Sequence, residues 1–154
     1  MTIANMQMKP LYIFDLDGTL ALIEHRRHFV EGDKKDWPAF FAACVNDKPN
    51  QPVIEVLRAL VAQGNEVRVW SGRSDEVRQQ TEDWIDRNVC CPLPVTMRKA
   101  GDHQPDERLK ADWLAELPGP DRLRLVAIFD DRDRVVAMWR SKGVTCFQVA
   151  PGAF

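Results

Sequence analysis

Short apolar runs alternate along the chain with stretches whose apolar residues recur at helical spacing. The runs Leu11–Leu16, Glu66–Ser71, Pro94–Arg98, Leu123–Phe129 and Val144–Val149 predict strands. Between them, Val53–Gln63, Ser74–Arg87, Asp106–Leu117 and Arg132–Lys142 predict helices. That order predicts an α/β fold, a parallel sheet of about five strands with helices on both faces. Tyr12-Ile13-Phe14, Val67 to Trp70 and Leu125 to Phe129 are apolar enough for central strands. Gly64 and Gly143 stand where helices would end. Asp36 as a cap, Pro38 in a first turn and the apolar residues after it predict a further helix over Trp37–Val45. Residues 1–10 read as a short N-terminal tail ahead of one domain spanning 11–154, and no internal repeat is present.

Composition narrows the class. The 154 residues are 45% hydrophobic and 29% charged, enough for one real core. No apolar stretch approaches the ~20 residues that span a bilayer, and Met1–Pro10 lacks the basic-then-apolar build of a signal peptide. A cytoplasmic protein with no membrane contact is expected. Cys44, Cys90, Cys91 and Cys146 lack C-x-x-C spacing and the density of a disulfide scaffold, so reduced, packed thiols are expected and a zinc site is not. A net charge of −2 excludes coating nucleic acid through an overall field but leaves room for a local basic patch.

Candidate chemistry collects where strands end, which is where ligands bind in open parallel sheets. The first strand runs into Asp15-Leu16-Asp17-Gly18-Thr19. Residues i and i+2 of an extended chain point the same way, so Asp15 and Asp17 would share a site unless the chain bends between them. Two close carboxylates call for a cation, and magnesium suits hard oxygen donors and substrate phosphate. Solvated aspartates at a turn are the equal alternative for this motif alone. Ser71-Gly72-Arg73 offers a hydroxyl, a close backbone approach and a guanidinium to a phosphate, or is an ordinary turn. Asp130-Asp131 would lie beside Asp15 if their strands are neighbours, or would simply cap a helix. Lys110 sits four residues after Asp106, a spacing that lets the carboxylate orient the ammonium or form a surface ion pair.

Other polar residues carry weaker signals. Arg26, Arg27, Lys34 and Lys35 form a basic stretch, one or more of which could meet phosphate. His25 and His28 read as surface histidines. Trp70, Trp84, Trp113 and Trp139 fall on predicted strand or helix faces and read as packing rather than base-stacking platforms, with Trp37 the exception to test.

Asp15-x-Asp17-Gly18-Thr19, Ser71, Lys110 and Asp130-Asp131 together resemble, in order, the four motifs of the haloacid dehalogenase superfamily of phosphotransferases. Within it the chain is similar to the 3′-phosphatase domain of bacteriophage polynucleotide kinase. That likeness runs through Ile13 to Ala21, Ser71-Gly72-Arg73, Val135 to Arg140 and Cys146 to Ala150, with Arg26, Arg73, Asp106 and Lys110 at active-site positions. The segment 27–50 matches poorly, so whether Arg26 or Arg27 meets phosphate is left open.

The resemblance implies a magnesium-dependent phosphatase that removes 3′-phosphate from DNA or RNA ends. It implies Asp15 as nucleophile, forming an aspartyl-phosphate, and Asp17 as proton shuttle. It also implies metal held by Asp15, the Asp17 backbone carbonyl, Asp130 and Asp131, with Thr19, Ser71 and Lys110 on the transferring group. Arg26, Gly72, Arg73 and Asp106 complete the substrate site. No G-x-x-x-x-G-K-[ST] occurs, so phosphatase without kinase activity is expected.

Size is an independent constraint: the segments 20–66 and 73–110 leave no room for a large cap domain, which favours an open site and a polynucleotide end. A phosphatase of mononucleotides or other small phosphate esters is the rival reading. A non-catalytic phospho-acceptor module is the third, and Asp17 followed by Gly-Thr fits it less well. Self-association, a separate kinase or ligase partner, and a host-cell cytoplasmic location for a phage-encoded chain all remain open.

Overall fold

A computed structural model describes residues 8–89 and 91–154. Five parallel strands form the sheet: β1 (Leu11–Phe14), β4 (Glu66–Ser74), β5 (Val95–Arg98), β6 (Leu125–Asp130) and β7 (Cys146–Gln148). Their order is β5-β4-β1-β6-β7, so β1 sits at the centre and its end faces those of β4 and β6. The remaining strands, β2 (Ala21–Leu22) and β3 (Lys48–Pro49), make a two-residue antiparallel ribbon.

Side-chain alternation in the strands sorts the core onto two faces. Phe14, Val67 and Val69 pack with Ile54 and Leu57 of α2 (Gln51–Ala62) and with Trp84 and Ile85 of α3 (Arg78–Asn88). Leu11, Ile13, Trp70 and Ile128 face the other way, onto Leu114 of α4 (Asp106–Glu116) and Val135, Val136 and Trp139 of α6 (Asp133–Ser141). Trp84 and Trp139 are the largest fully buried side chains. Truncating either to alanine would cost about 3–5 kcal/mol. Phe14 and Phe129 are register partners on β1 and β6, and their rings stack with centroids 4.2 Å apart.

Several boundaries differ from the sequence pattern for local reasons. β1 stops at Phe14 rather than Leu16, because the amides of Thr19, Leu20 and Ala21 all turn back onto the Leu16 carbonyl. β4 runs on through Ser71-Gly72-Arg73 to Ser74, with a register irregularity against β5 between Ser71 and Ser74. The helix expected from Ser74 begins as a 3-10 turn, Asp75–Val77, whose Glu76 amide donates to the Ser74 hydroxyl at 3.3 Å. Residues 119–124 form α5 (Gly119–Arg124) ahead of β6, where the apolar pattern predicts the strand from Leu123. The helix expected over 37–45 is α1 (Trp37–Ala42) continued by a 3-10 turn, Ala43–Asn46, and Asp36 caps it by accepting from the Ala39 amide at 3.0 Å.

The ribbon β2–β3 ties down the excursion 23–47, which holds a 3-10 stretch (Glu24–Phe29) and α1; among the described residues no large cap domain is built on the sheet. Cys44 and Cys146 are buried and Cys91 is half-buried, while Cys90 lies outside the described residues. Among the described residues no helix is long and apolar enough to cross a membrane.

Candidate active site

The centre of the site is the end of β1. The Asp15 amide continues the ladder by donating to the Phe129 carbonyl at 2.9 Å, which fixes Asp15 beside β6. The next residues fold into a tight turn, with Gly18 at φ +83°, where a side chain is strained. A Cβ at Gly18 would also collide with the Asp131 carboxylate. Any other residue there costs backbone strain and displaces the Asp131 carboxylate.

Asp15, Asp130 and Asp131 come together with carboxylate oxygens within 4.8 Å of one another, all buried. Lys110 is 2% exposed and reaches in from α4, donating from Nζ to Asp15 Oδ1 at 2.7 Å and to Asp130 Oδ2 at 2.9 Å. Thr19 Oγ1 donates to Asp15 Oδ2 at 3.1 Å. Asp130 is further fixed by the Trp139 indole at 3.2 Å and by the Asp131 amide at 2.9 Å.

One ammonium does not balance three carboxylates. Burial raises the Asp15 carboxyl well above its ordinary value; Lys110 opposes this and Asp130 and Asp131 add to it. Burial, then Asp130, push Asp131 up to about 6. Burial works against the Lys110 charge, yet Asp130 and Asp15 hold it firmly protonated. Three hard oxygen donors with excess negative charge fit a magnesium ion.

Asp17 does not share this environment, because the chain bends after Asp15. Its Oδ1 accepts from Arg26 Nη2 at 2.7 Å and from Arg73 Nε at 2.8 Å. Burial would lift its carboxyl, but the guanidiniums of Arg73 and Arg26 outweigh that and hold it below the usual range. Its side chain lies outside the carboxylate trio, so metal contact through the carboxylate is not what this geometry offers.

Both arginines are anchored from behind by Asp47, a residue the sequence pattern does not single out. Asp47 accepts from Arg26 Nε and Nη2 and from Arg73 Nη2, each at 2.7 Å, and from His25 at 2.7 Å when that ring carries the proton on Nε2. Arg73 also donates to Thr81 Oγ1 at 3.2 Å. His25 and His28 are both exposed, as their sequence context suggests. A lone acid ahead of Lys48-Pro49 carries no periodic signal, so Asp47 was not findable from spacing.

A cavity of about 610 Å³ opens over Asp15, Asp17, Lys110, Asp130 and Asp131. Arg27 lines it, whereas Arg26 is fully buried behind Asp17, so of the two it is Arg27 that faces the cavity. The Ser71 hydroxyl is buried and accepts from the Arg73 amide at 3.2 Å, leaving Gly72 and Ser74 to line the cavity. Asp106, at the start of α4, is not a hydrogen-bond partner of Lys110. Its carboxylate accepts from Arg98 and, at 3.3 Å, from Arg132. It also fills the space a Cβ would need at Gly72, 2.6 Å away. Arg98 closes this corner by donating to the Gly72 carbonyl at 2.9 Å and the Gln104 carbonyl at 2.7 Å. Arg98 ends the predicted strand Pro94–Arg98, so the strand-end rule alone would have found it.

Residues 9–154 match the family described as polynucleotide kinase PNKP phosphatase domain. Among solved structures, the Pnkp1/Rnl/Hen1 RNA repair complex contains a chain 31% identical to this one, with TM-score 0.80, covering 96% of this chain and 45% of that one. A second structure of the Pnkp1/Rnl/Hen1 complex matches at 32% identity and TM-score 0.80, over 96% and 48%. The chain thus spans about half the length of these relatives. Class C acid phosphatase from Bacillus anthracis shares the fold, with TM-score 0.67 and 15% identity over 97% of this chain and 69% of that one. The family match over nearly the whole chain and the shared fold settle the lineage: the chain is a member of the polynucleotide kinase phosphatase-domain family, with a haloacid dehalogenase-like fold.

Proposed function

We propose that the chain removes 3′-phosphate from DNA or RNA ends by way of an aspartyl-phosphate on Asp15, with Mg²⁺ as cofactor. The observation that carries this reading is the division of labour between two neighbouring acids that open on one cavity. Asp15 lies among carboxylates and one ammonium, and Asp17 lies between two guanidiniums.

Asp15 attacks phosphorus, forming the acyl-phosphate bond as the P–O3′ bond breaks, and Asp17 gives its proton to the departing O3′. The guanidiniums favour the ionised form of Asp17, and a phosphoryl dianion beside it favours protonation. Asp17 then takes a proton from water, whose oxygen attacks phosphorus and frees Asp15. Thr19 and Lys110 hold the Asp15 carboxylate in place, and Lys110 offsets charge on the transferring group. Asp15, Asp130 and Asp131, with the Asp17 backbone carbonyl, would hold the metal, which when bound neutralises charge on the phosphoryl oxygens.

Phosphoryl transfer from ATP is not expected of these 154 residues, which hold no G-x-x-x-x-G-K-[ST] segment. A separate kinase or ligase would complete end repair, in the cytoplasm, and the chain could pair with a second copy of itself. The test compares turnover of a 3′-phosphorylated oligonucleotide, its 5′-phosphorylated isomer and a 3′-mononucleotide. The first is expected to be preferred. Equal rates on all three would favour a small-ester phosphatase, and Asp15→Asn retaining wild-type turnover would sink the covalent route.

A further inference from the structure

We propose that Trp37 is a stacking platform for one of the two bases nearest the phosphorylated end, a subsite that rests on the polynucleotide reading above. Trp70, Trp84 and Trp139 are at most 5% exposed, whereas Trp37 is 44% exposed at the start of α1 and lines the cavity that ends at Asp15. An indole left this exposed on the wall of that cavity offers aromatic surface where a nucleotide would extend.

The mount is firm. Phe40 meets the Trp37 ring edge-on at 5.7 Å and Phe41 lies against it at 5.9 Å. Phe40 in turn carries the Arg26 guanidinium 4.2 Å from its centroid, so α1 supports both the exposed indole and the clamp on Asp17. Lys35 sits 5.9 Å from the Trp37 centroid, near the outer limit of cation–π attraction, and a base displaces little there. Lys35 and Arg27 lie on this wall, and Arg98, Lys99 and Arg134 also line the cavity. Aromatic surface interleaved with basic side chains is the build of a single-strand binding groove, present locally despite the net charge of −2.

The test is a cycle between protein and substrate. The substrates are a 3′-phosphorylated oligonucleotide and the same strand made abasic at its last or next-to-last position. The proteins are the wild type, Trp37→Ala and Trp37→Phe. Removing the base or the indole should each lower kcat/KM about tenfold, removing both should cost no more than either, and Trp37→Phe should recover most of the loss. p-Nitrophenyl phosphate, which has no base, reports whether each variant is folded. Wild-type enzyme treating intact and abasic strands alike overturns the subsite, as does a Trp37→Ala loss that multiplies with the abasic loss. Wild-type enzyme that hydrolyses p-nitrophenyl phosphate but no 3′-phosphorylated strand overturns the polynucleotide reading, and the subsite with it.

Discussion

Asp47 and Asp17 grip the same two guanidinium groups, Asp47 from the fully buried side and Asp17 from the cavity side. Removing Asp47 leaves two buried cations to one partly exposed acid. Asp47→Ala should cost about 3–5 kcal/mol of stability, the usual effect of orphaning a buried charge, and urea unfolding measures it. Phosphatase activity should fall with it even at temperatures where the variant is folded, because Arg26 and Arg73 no longer fix Asp17. Wild-type stability and turnover together would show the arginines to be held without it.

The crowding of carboxylates gives a sign to the pH dependence of stability without metal. Asp131 is raised from an ordinary 3.8 to about 6, so the folded chain keeps a proton that the unfolded chain has lost. Its contribution to stability is therefore present at low pH and is lost as pH rises from about 4 through 6, on the order of 2–3 kcal/mol. In chelator, the wild-type melting temperature should decline across that window relative to Asp131→Asn. Added Mg²⁺ should restore the wild type at pH 7 and the variant much less.

Lys110 bridges Asp15 and Asp130 and so occupies part of the field a metal would use. Lys110→Met should lower kcat by about 100-fold or more through loss of charge stabilisation. At pH 8 the same variant should bind Mg²⁺ more tightly, since the cluster loses its only contacting cation among the described residues. Calorimetric titration showing weaker Mg²⁺ binding would contradict that assignment of charge.

Gly18 combines a left-handed backbone with contact against Asp131. Gly18→Ala should cost about 1–3 kcal/mol from backbone strain alone and should cut metal affinity by displacing the Asp131 carboxylate. Thermal unfolding with and without Mg²⁺ separates the two effects, since displacement of Asp131 predicts a smaller metal-induced rise.

The sheet was legible because its strands are short apolar runs separated by helical periodicity, and Asp15, Asp130 and Asp131 were legible because strand ends mark them, whereas the spacing of Lys110 from Asp106 suggested an ion pair that does not form and only the family resemblance placed Lys110 in the site. Convergence of the three aspartates needs only β6 to lie beside β1, which parallel α/β order allows. Asp17 was half legible: the motif marks it, but the bend after Asp15 sends it to the arginines, and strand geometry alone would have sent it to the metal cluster. A strand ending at Ser71 and a turn after it were expected, yet Gly72 and Arg73 are strand too, with the irregularity in the pairing with β5 between Ser71 and Ser74. Asp47 and Arg26 were beyond reach as a pair, since a buried ion pair 21 residues apart leaves no trace in local periodicity.

The short ribbon at Ala21–Leu22 and Lys48–Pro49 closes off a segment that supplies one wall of the cavity, from Ile23 to Phe41. It is not a free cassette. Arg26 and Asp47 both lie inside it and both reach the fixed scaffold, Arg26 by donating to Asp17 and Asp47 by accepting from Arg73. A chimera that imports a foreign wall must therefore import its own cation and counterion, or it will change what the enzyme can protonate along with what it can hold.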